Sequence, residues 1–136
     1  MDVKKIEFNK RNNDTGKLTF VEGKRDIPFD IKRIYYVYDI AKGERRGFHA
    51  HKELEQYLIC IHGTCKILLD NGIEKEDVML DNPSEGLYVG IKMWHEMYEF
   101  TEGAVLLVLA SDYYNENDYI RNYDEFIEYI KSKENC

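Results

Sequence analysis

The hydrophobic positions of this chain come in short runs broken every few residues by turn-forming pairs. As far as residue 110 their spacing is that of strands. Residues 4–8 and 18–22 are strand candidates on either side of the turn-like Asn12-Asn13-Asp14-Thr15-Gly16. Residues 31–38 are rich in β-branched and aromatic side chains. So are 54–61 and 64–69, which meet across His62-Gly63 as a tight hairpin. Asn71-Gly72, between Leu69 and Ile73, is the strongest short-range turn signal in the chain. Further runs follow at 77–80, 86–89, 94–100 and 104–110. Turn signals this closely spaced predict an all-β sandwich or closed barrel.

Beyond that the period changes. Ile120, Tyr123, Phe126, Ile127 and Ile130 recur at steps of three and four with charges between them. This predicts one amphipathic helix over about 118–132, capped by Asp118 or Asn122 and laid against the outside of the barrel. With 136 residues, only Pro28 and Pro83 as prolines, and no low-complexity tract or repeat, the reading is a single domain over 1–136.

Composition narrows the function classes. Apolar residues make up 43% and charged residues 33%, a globular balance. The net charge of −7 argues against nucleic-acid binding, which needs a basic phosphate-facing surface, but leaves room for a local basic pocket. No apolar run approaches the roughly 20 residues of a membrane span, and the first six residues carry no signal-peptide core. Cys60, Cys65 and Cys136 are an odd number with no Cys-x-x-Cys pair, so reduced thiols and a cytoplasmic location are expected.

The candidate chemistry lies in the histidines. His49-Ala50-His51 has period-two spacing, which places both imidazoles on one face of a strand. His95 follows Trp94 in Gly90-Ile91-Lys92-Met93-Trp94-His95-Glu96-Met97; His62, beside the turn glycine Gly63, is expected to be exposed and idle. His49, His51, Glu55, Gly63 and His95 together resemble the two-part cupin pattern, although the second half lacks Pro-x-Gly and the Glu55–Gly63 spacing is one residue long. That resemblance implies a double-stranded β-helix, a jelly-roll barrel with the site in its mouth. In metal-binding cupins three histidines and a glutamate hold a divalent ion, and all four ligand types are present. A metal-dependent enzyme, such as a dioxygenase using His49, His51, Glu55 and His95, is one reading.

The flanking residues carry a narrower resemblance. Asp26-Ile27-Pro28-Phe29-Asp30-Ile31-Lys32-Arg33-Ile34-Tyr35-Tyr36, Arg46-Gly47-Phe48-His49-Ala50-His51-Lys52, Gly86-Leu87-Tyr88-Val89-Gly90, Trp94-His95-Glu96-Met97 and Leu109-Ala110-Ser111-Asp112-Tyr113-Tyr114 belong to it. Asp118-Tyr119-Ile120-Arg121 completes the set. Over 16–126 the chain resembles the dTDP-4-keto-6-deoxyglucose 3,4-ketoisomerases, the WxcM-like sugar isomerases.

The resemblance implies movement of a ketone from carbon 4 to carbon 3 of a dTDP-linked 6-deoxyhexose through an enediol. The product would feed an aminotransferase making 3-amino sugars for surface polysaccharides such as lipopolysaccharide O-antigen. It implies no metal and no cofactor, and a homodimer with an N-terminal strand contributed to the partner's sheet. The catalytic residues it implies are His49, His51 and Tyr35, with either histidine open as the base. The substrate-binding residues are Arg33, Arg46, Trp94, His95 and Arg121. Histidine suits the proton transfers because its pKa lies near neutrality, and arginine forks suit a pyrophosphate. By the same resemblance, histidine at position 95 goes with the galacto product, whereas Thr15 matches neither the arginine nor the tyrosine of the two product types. Two further readings remain: a non-catalytic nucleotide-sugar-binding cupin, and a 3,5-epimerase, whose His-Asp pair the His49/His51 strand does not fit.

Overall fold

Strand β6 (Gln56–His62) is buried over its first five residues because it lies in the middle of a sheet. A computed structural model of the chain describes residues 1–134, so Cys136 lies outside the described residues. The strands before β6 are β1 (Lys5–Glu7), β2 (Asn9–Asn13), β3 (Gly16–Phe20), β4 (Arg33–Val37) and β5 (Arg46–His51). After it come β7 (Cys65–Asp70), β8 (Lys75–Leu80), β9 (Glu85–Val89), β10 (Trp94–Tyr98) and β11 (Val105–Ala110). A 3-10 turn at Glu116–Asp118, β12 (Tyr119–Ile120) and helix α1 (Tyr123–Glu134) complete the described chain.

Two antiparallel sheets, ordered β1-β9-β6-β11-β4 and β12-β5-β10-β7-β8, face each other. This is the all-β, cupin-type double-stranded β-helix with one C-terminal helix that the residue pattern implied. Leu58, Leu87, Val89, Leu106 and Val108 from the first sheet interdigitate with Cys65, Ile67, Leu69, Leu80 and Met97 from the second. Each such fully buried side chain contributes about 1.5–3 kcal/mol. No described helix is long and apolar enough to cross a membrane.

The inward face changes polarity along the strands, and that change positions the site. On β6 the inward residues run Gln56, Leu58, Cys60; on β10 they run His95, Met97; on β4 they run Arg33, Tyr35, Val37. One end of the barrel is therefore packed with aliphatic side chains. The other is lined by histidines, a buried amide and arginine.

Two elements differ from their sequence expectation. Strand β2 was not expected, because its residues are polar and exposed and show no alternation. It forms because the Asn13 side chain accepts from the backbone N–H of Thr15 (2.9 Å) and of Gly16 (3.0 Å), closing a hairpin with β3. The helix starts at Tyr123 and not near 118. Asn122 caps it, accepting from the Glu125 N–H at 3.1 Å, while Tyr119 and Ile120 pair with His51 and Ala50 as an edge strand. The helix covers the outer face of the second sheet, burying Phe126 against Trp94 and Ile120.

Candidate active site

Strand β5 aims the site. Against β10, His49 pairs with His95 but Gly47 pairs with Glu96, so Phe48 is an extra residue and the strand bulges there. Both Gly47 (φ +91) and Phe48 (φ +60) take left-handed backbone. A Cβ on Gly47 would lie 2.9 Å from the His95 carbonyl and from Met97 Sδ, so glycine is required at this crossing. The bulge has a chemical consequence. Strict alternation would put Arg46 and His49 on opposite faces, but here both line one cavity of about 300 Å³, with Arg33, Tyr35 and Arg121.

Three imidazoles cluster at this end of the cavity, with His49 at its wall and His51 and His95 packed against it. The His49 ring lies 4.6 Å from that of His95 and 5.1 Å from that of His51. Each Nδ1 faces an acceptor: the Gly47 carbonyl for His49 (3.0 Å), the Asp118 carboxylate for His51 (3.1 Å) and the Met93 carbonyl for His95 (3.1 Å). A carbonyl or carboxylate accepts only from N–H, so all three rings carry Nδ1–H and keep a lone pair on Nε2. Burial, with His95 and His51 beside it, holds the His49 pKa down to about 2. Burial, then His95, Arg33 and Arg121, hold His51 down to about 3. Burial lowers His95 to about 4 against the pull of the Met93 carbonyl. The rings are therefore neutral at pH 7, and Nε2 of His49 and of His51 has no hydrogen-bond partner among the described residues.

Opposite them stands a donor. The Tyr35 phenol accepts a hydrogen bond of 2.7 Å from Nε2 of the fully buried Gln56. Burial pushes its pKa up to about 12 despite that bond and the nearby Arg33, so it stays protonated. Arg33 lies over the Tyr35 ring at 5.0 Å, and its Nε and Nη2 are buried without a hydrogen-bond partner among the described residues. At the mouth, Arg121 covers the Tyr119 ring at 4.3 Å and forks onto Glu116 at 2.7 and 2.9 Å. Three arginines thus make a basic cavity in an acidic protein.

The structure brings together His49, His51, His95, Tyr35, Arg33, Arg46 and Arg121. It corrects two expectations. Trp94, read as substrate-binding, is on the opposite face of β10 from His95. It packs on Tyr123 and Phe126 under the helix and donates its indole N–H to Glu96 at 2.8 Å. Glu55, the carboxylate of the metal-dependent reading, precedes β6 and accepts from the Tyr88 phenol at 2.6 Å. Ligand atoms of the three histidines lie within 4.8 Å of one another and could hold a divalent ion. The fourth ligand of the cupin set is turned away, and Gln56 takes the inward position beside it. His62 is exposed and bonds the Gly103 carbonyl, outside the site, as expected.

Residue-by-residue reading overlooked Gln56, Asp118 as the partner of His51, and the aromatic rim of Tyr114 and Tyr119. The signal for Gln56 was present: an amide directly before an apolar run is the informative kind of exception.

A family model described as "FdtA: WxcM-like, C-terminal" matches residues 1–131. The chain belongs to this family. The TDP-4-oxo-6-deoxy-alpha-D-glucose-3,4-oxoisomerase of Aneurinibacillus thermoaerophilus is 51% identical over 130 residues, covering 96% of this chain and 94% of that protein. The 3,4-ketoisomerase QdtA from Thermoanaerobacterium thermosaccharolyticum has been solved as a histidine-to-asparagine mutant in complex with TDP-4-keto-6-deoxyglucose. It superimposes with a TM-score of 0.93 at 52% identity, over 96% of this chain and 94% of that one. The WlaRB TDP-quinovose 3,4-ketoisomerase from Campylobacter jejuni matches with a TM-score of 0.88 at 46% identity, over 93% and 98%.

Proposed function

We propose that this chain is a TDP-sugar 3,4-ketoisomerase, moving the keto group of TDP-4-keto-6-deoxyglucose from carbon 4 to carbon 3. The observation that carries the reading is the pairing of neutral imidazoles with a protonated phenol across one basic cavity. A base with a free lone pair and a donor that never ionises near neutral pH are what an enediol intermediate needs. His49 lines the cavity itself and is the base for the proton on carbon 3. His51 stands beside it, its tautomer held by Asp118, and stabilises or relays the proton. Tyr35 donates to the oxygen on carbon 4. Carbon 3 loses a proton and carbon 4 gains one, and the carbon-3 hydroxyl loses a proton while the carbon-4 oxygen gains one. The relayed protons exchange with solvent on the way, and no oxidant or reductant is consumed. Arg33, Arg46 and Arg121 hold the pyrophosphate.

His95, a third neutral imidazole against His49, supports return of the proton from that wall and, by family resemblance, the galacto product. Work on a nucleotide-activated sugar, together with the free buried thiols of Cys60 and Cys65, supports a cytoplasmic location.

The test is proton NMR of TDP-4-keto-6-deoxyglucose with chelator-treated protein in deuterium oxide. The expected result is a 3-keto product carrying deuterium at carbon 4, with ring couplings of the galacto configuration. Couplings of the gluco configuration would overturn the stereochemical part alone. Substrate returned undeuterated would overturn the isomerase, and recovery of turnover only with added metal would move the histidine triad to ligand duty.

The second partner in this reading is another copy of the chain. The outer face of the first sheet presents Ile34 and Tyr36, 56% and 59% exposed, beside an apolar groove of about 390 Å³ lined by Ile31, Ile59, Ile61, Leu107 and Leu109. The β2–β3 hairpin, a two-stranded sheet with no further strand paired to it among the described residues, borders that groove through Lys17 and Thr19. Exposed apolar surface next to an open strand edge favours pairing. Light scattering after size exclusion is expected to give twice the chain mass, and Ile34→Glu with Ile61→Glu to halve it. A monomeric native protein would remove the dimer.

A further inference from the structure

We propose that Gln56 is a positioning residue that turns the single phenolic proton of Tyr35 into the cavity, toward the developing enediolate oxygen. The inference rests on the isomerase reading and deepens it by assigning what aims the donor.

Gln56 is the first residue of β6 and is 0% exposed. Its backbone neighbours across the sheet are Ala110 and Val89, neither of which offers its side chain a polar partner. The 2.7 Å bond to Tyr35 is the only hydrogen bond its side chain makes among the described residues, and its Oε1 has none. A buried amide left half satisfied is unfavourable relative to a packed apolar residue. The side chain is therefore not there for packing.

What it does is set direction. A phenol has one proton to donate and can also accept. With Gln56 Nε2 donating to the oxygen, the Tyr35 proton has no protein acceptor on that side and is free for substrate. A carboxylate in the same place would accept that proton and draw it away from the cavity. Gln56 and Glu55 are adjacent in sequence, and the structure sends the amide inward and the acid outward to Tyr88. The donor-bearing side chain is thus the one facing the phenol.

The test is a double-mutant cycle on kcat and KM, with the NMR assay above as readout. Gln56→Met is expected to lower kcat by about tenfold, and Gln56→Glu by about a hundredfold, each with KM within about threefold of native. In a Tyr35→Phe background, either substitution at Gln56 is expected to change kcat by less than about twofold, because there is no phenol left to aim. Should Gln56→Met fail to fold, Gln56→Glu completes the same cycle in both backgrounds. Losses that multiply in the double variant, an effect confined to KM, or native kcat in Gln56→Glu would each overturn the proposal. Native turnover in the same assay tests the isomerase reading separately, so the two fail in different ways.

Discussion

His49→Asn is expected to lower kcat by about 10³-fold while leaving KM within a few-fold of native. Asparagine can keep the hydrogen bond to the Gly47 carbonyl but has no basic lone pair, so binding geometry survives and the proton on carbon 3 has no acceptor. His51→Asn is expected to act less severely, about 10²-fold, because His51 does not line the cavity and its ring is held behind His49 by Asp118. The measurement is deuterium entry from solvent followed by NMR, with substrate affinity by calorimetry. Equal activity in native protein and His49→Asn would remove the base assignment. A loss in His51→Asn exceeding that of His49→Asn would exchange the two roles.

The second large effect is on stability in mild acid. Three histidines have folded-state pKa values held down to about 2, 3 and 4, chiefly by burial, against about 6.5 in an unfolded chain. Below pH 6.5 the unfolded chain binds protons that the native state does not. The unfolding free energy therefore falls as pH falls, through the window from about 6.5 toward 4. Between pH 7 and pH 5 the loss is about 2 kcal/mol per fully buried histidine, and less for His49 at the cavity wall. Set against a typical total of 5–15 kcal/mol, that is a large fraction. Urea midpoints measured at pH 7, 6 and 5 should fall steadily, and His95→Asn should flatten the fall by about one proton's slope. A midpoint independent of pH over this range would mean that the imidazoles are solvated and protonate freely in the folded state.

Much of this was legible because two periodicities are visible in any sequence. Period two in His49-Ala50-His51 and in Arg33-Ile34-Tyr35 was enough to place each set on one strand face, and in the structure Arg33, Tyr35 and His49 line the cavity with the His51 ring packed beside that of His49. The three-and-four spacing from Ile120 to Ile130 marked the amphipathic helix, with Phe126 on its buried side. Its start was misplaced because Asp118 is equally good as a cap and as a histidine partner, and only the neighbouring β5 decides between them.

Trp94 shows the opposite case. Its adjacency to His95 suggested a shared site, yet alternation along β10 sends the two side chains to opposite faces. The pairing of Arg46 with His49 inverts that lesson. Alternation separates them, and a one-residue bulge at Phe48, made by two left-handed residues against β10, reunites them.

The sequence by itself determined the β-rich barrel, the terminal helix, the family and most of the chemically active side chains, because these depend on local period and residue type. Tertiary structure decided which of those side chains meet. Tautomers set by Gly47, Asp118 and Met93, the amide of Gln56 behind Tyr35, and the outward turn of Glu55 depend on contacts between residues dozens of positions apart or on local backbone that folds only against a neighbouring strand. Burial then shifts the same imidazoles from pH-sensitive surface groups to neutral bases, a change that no residue carries in its own letter.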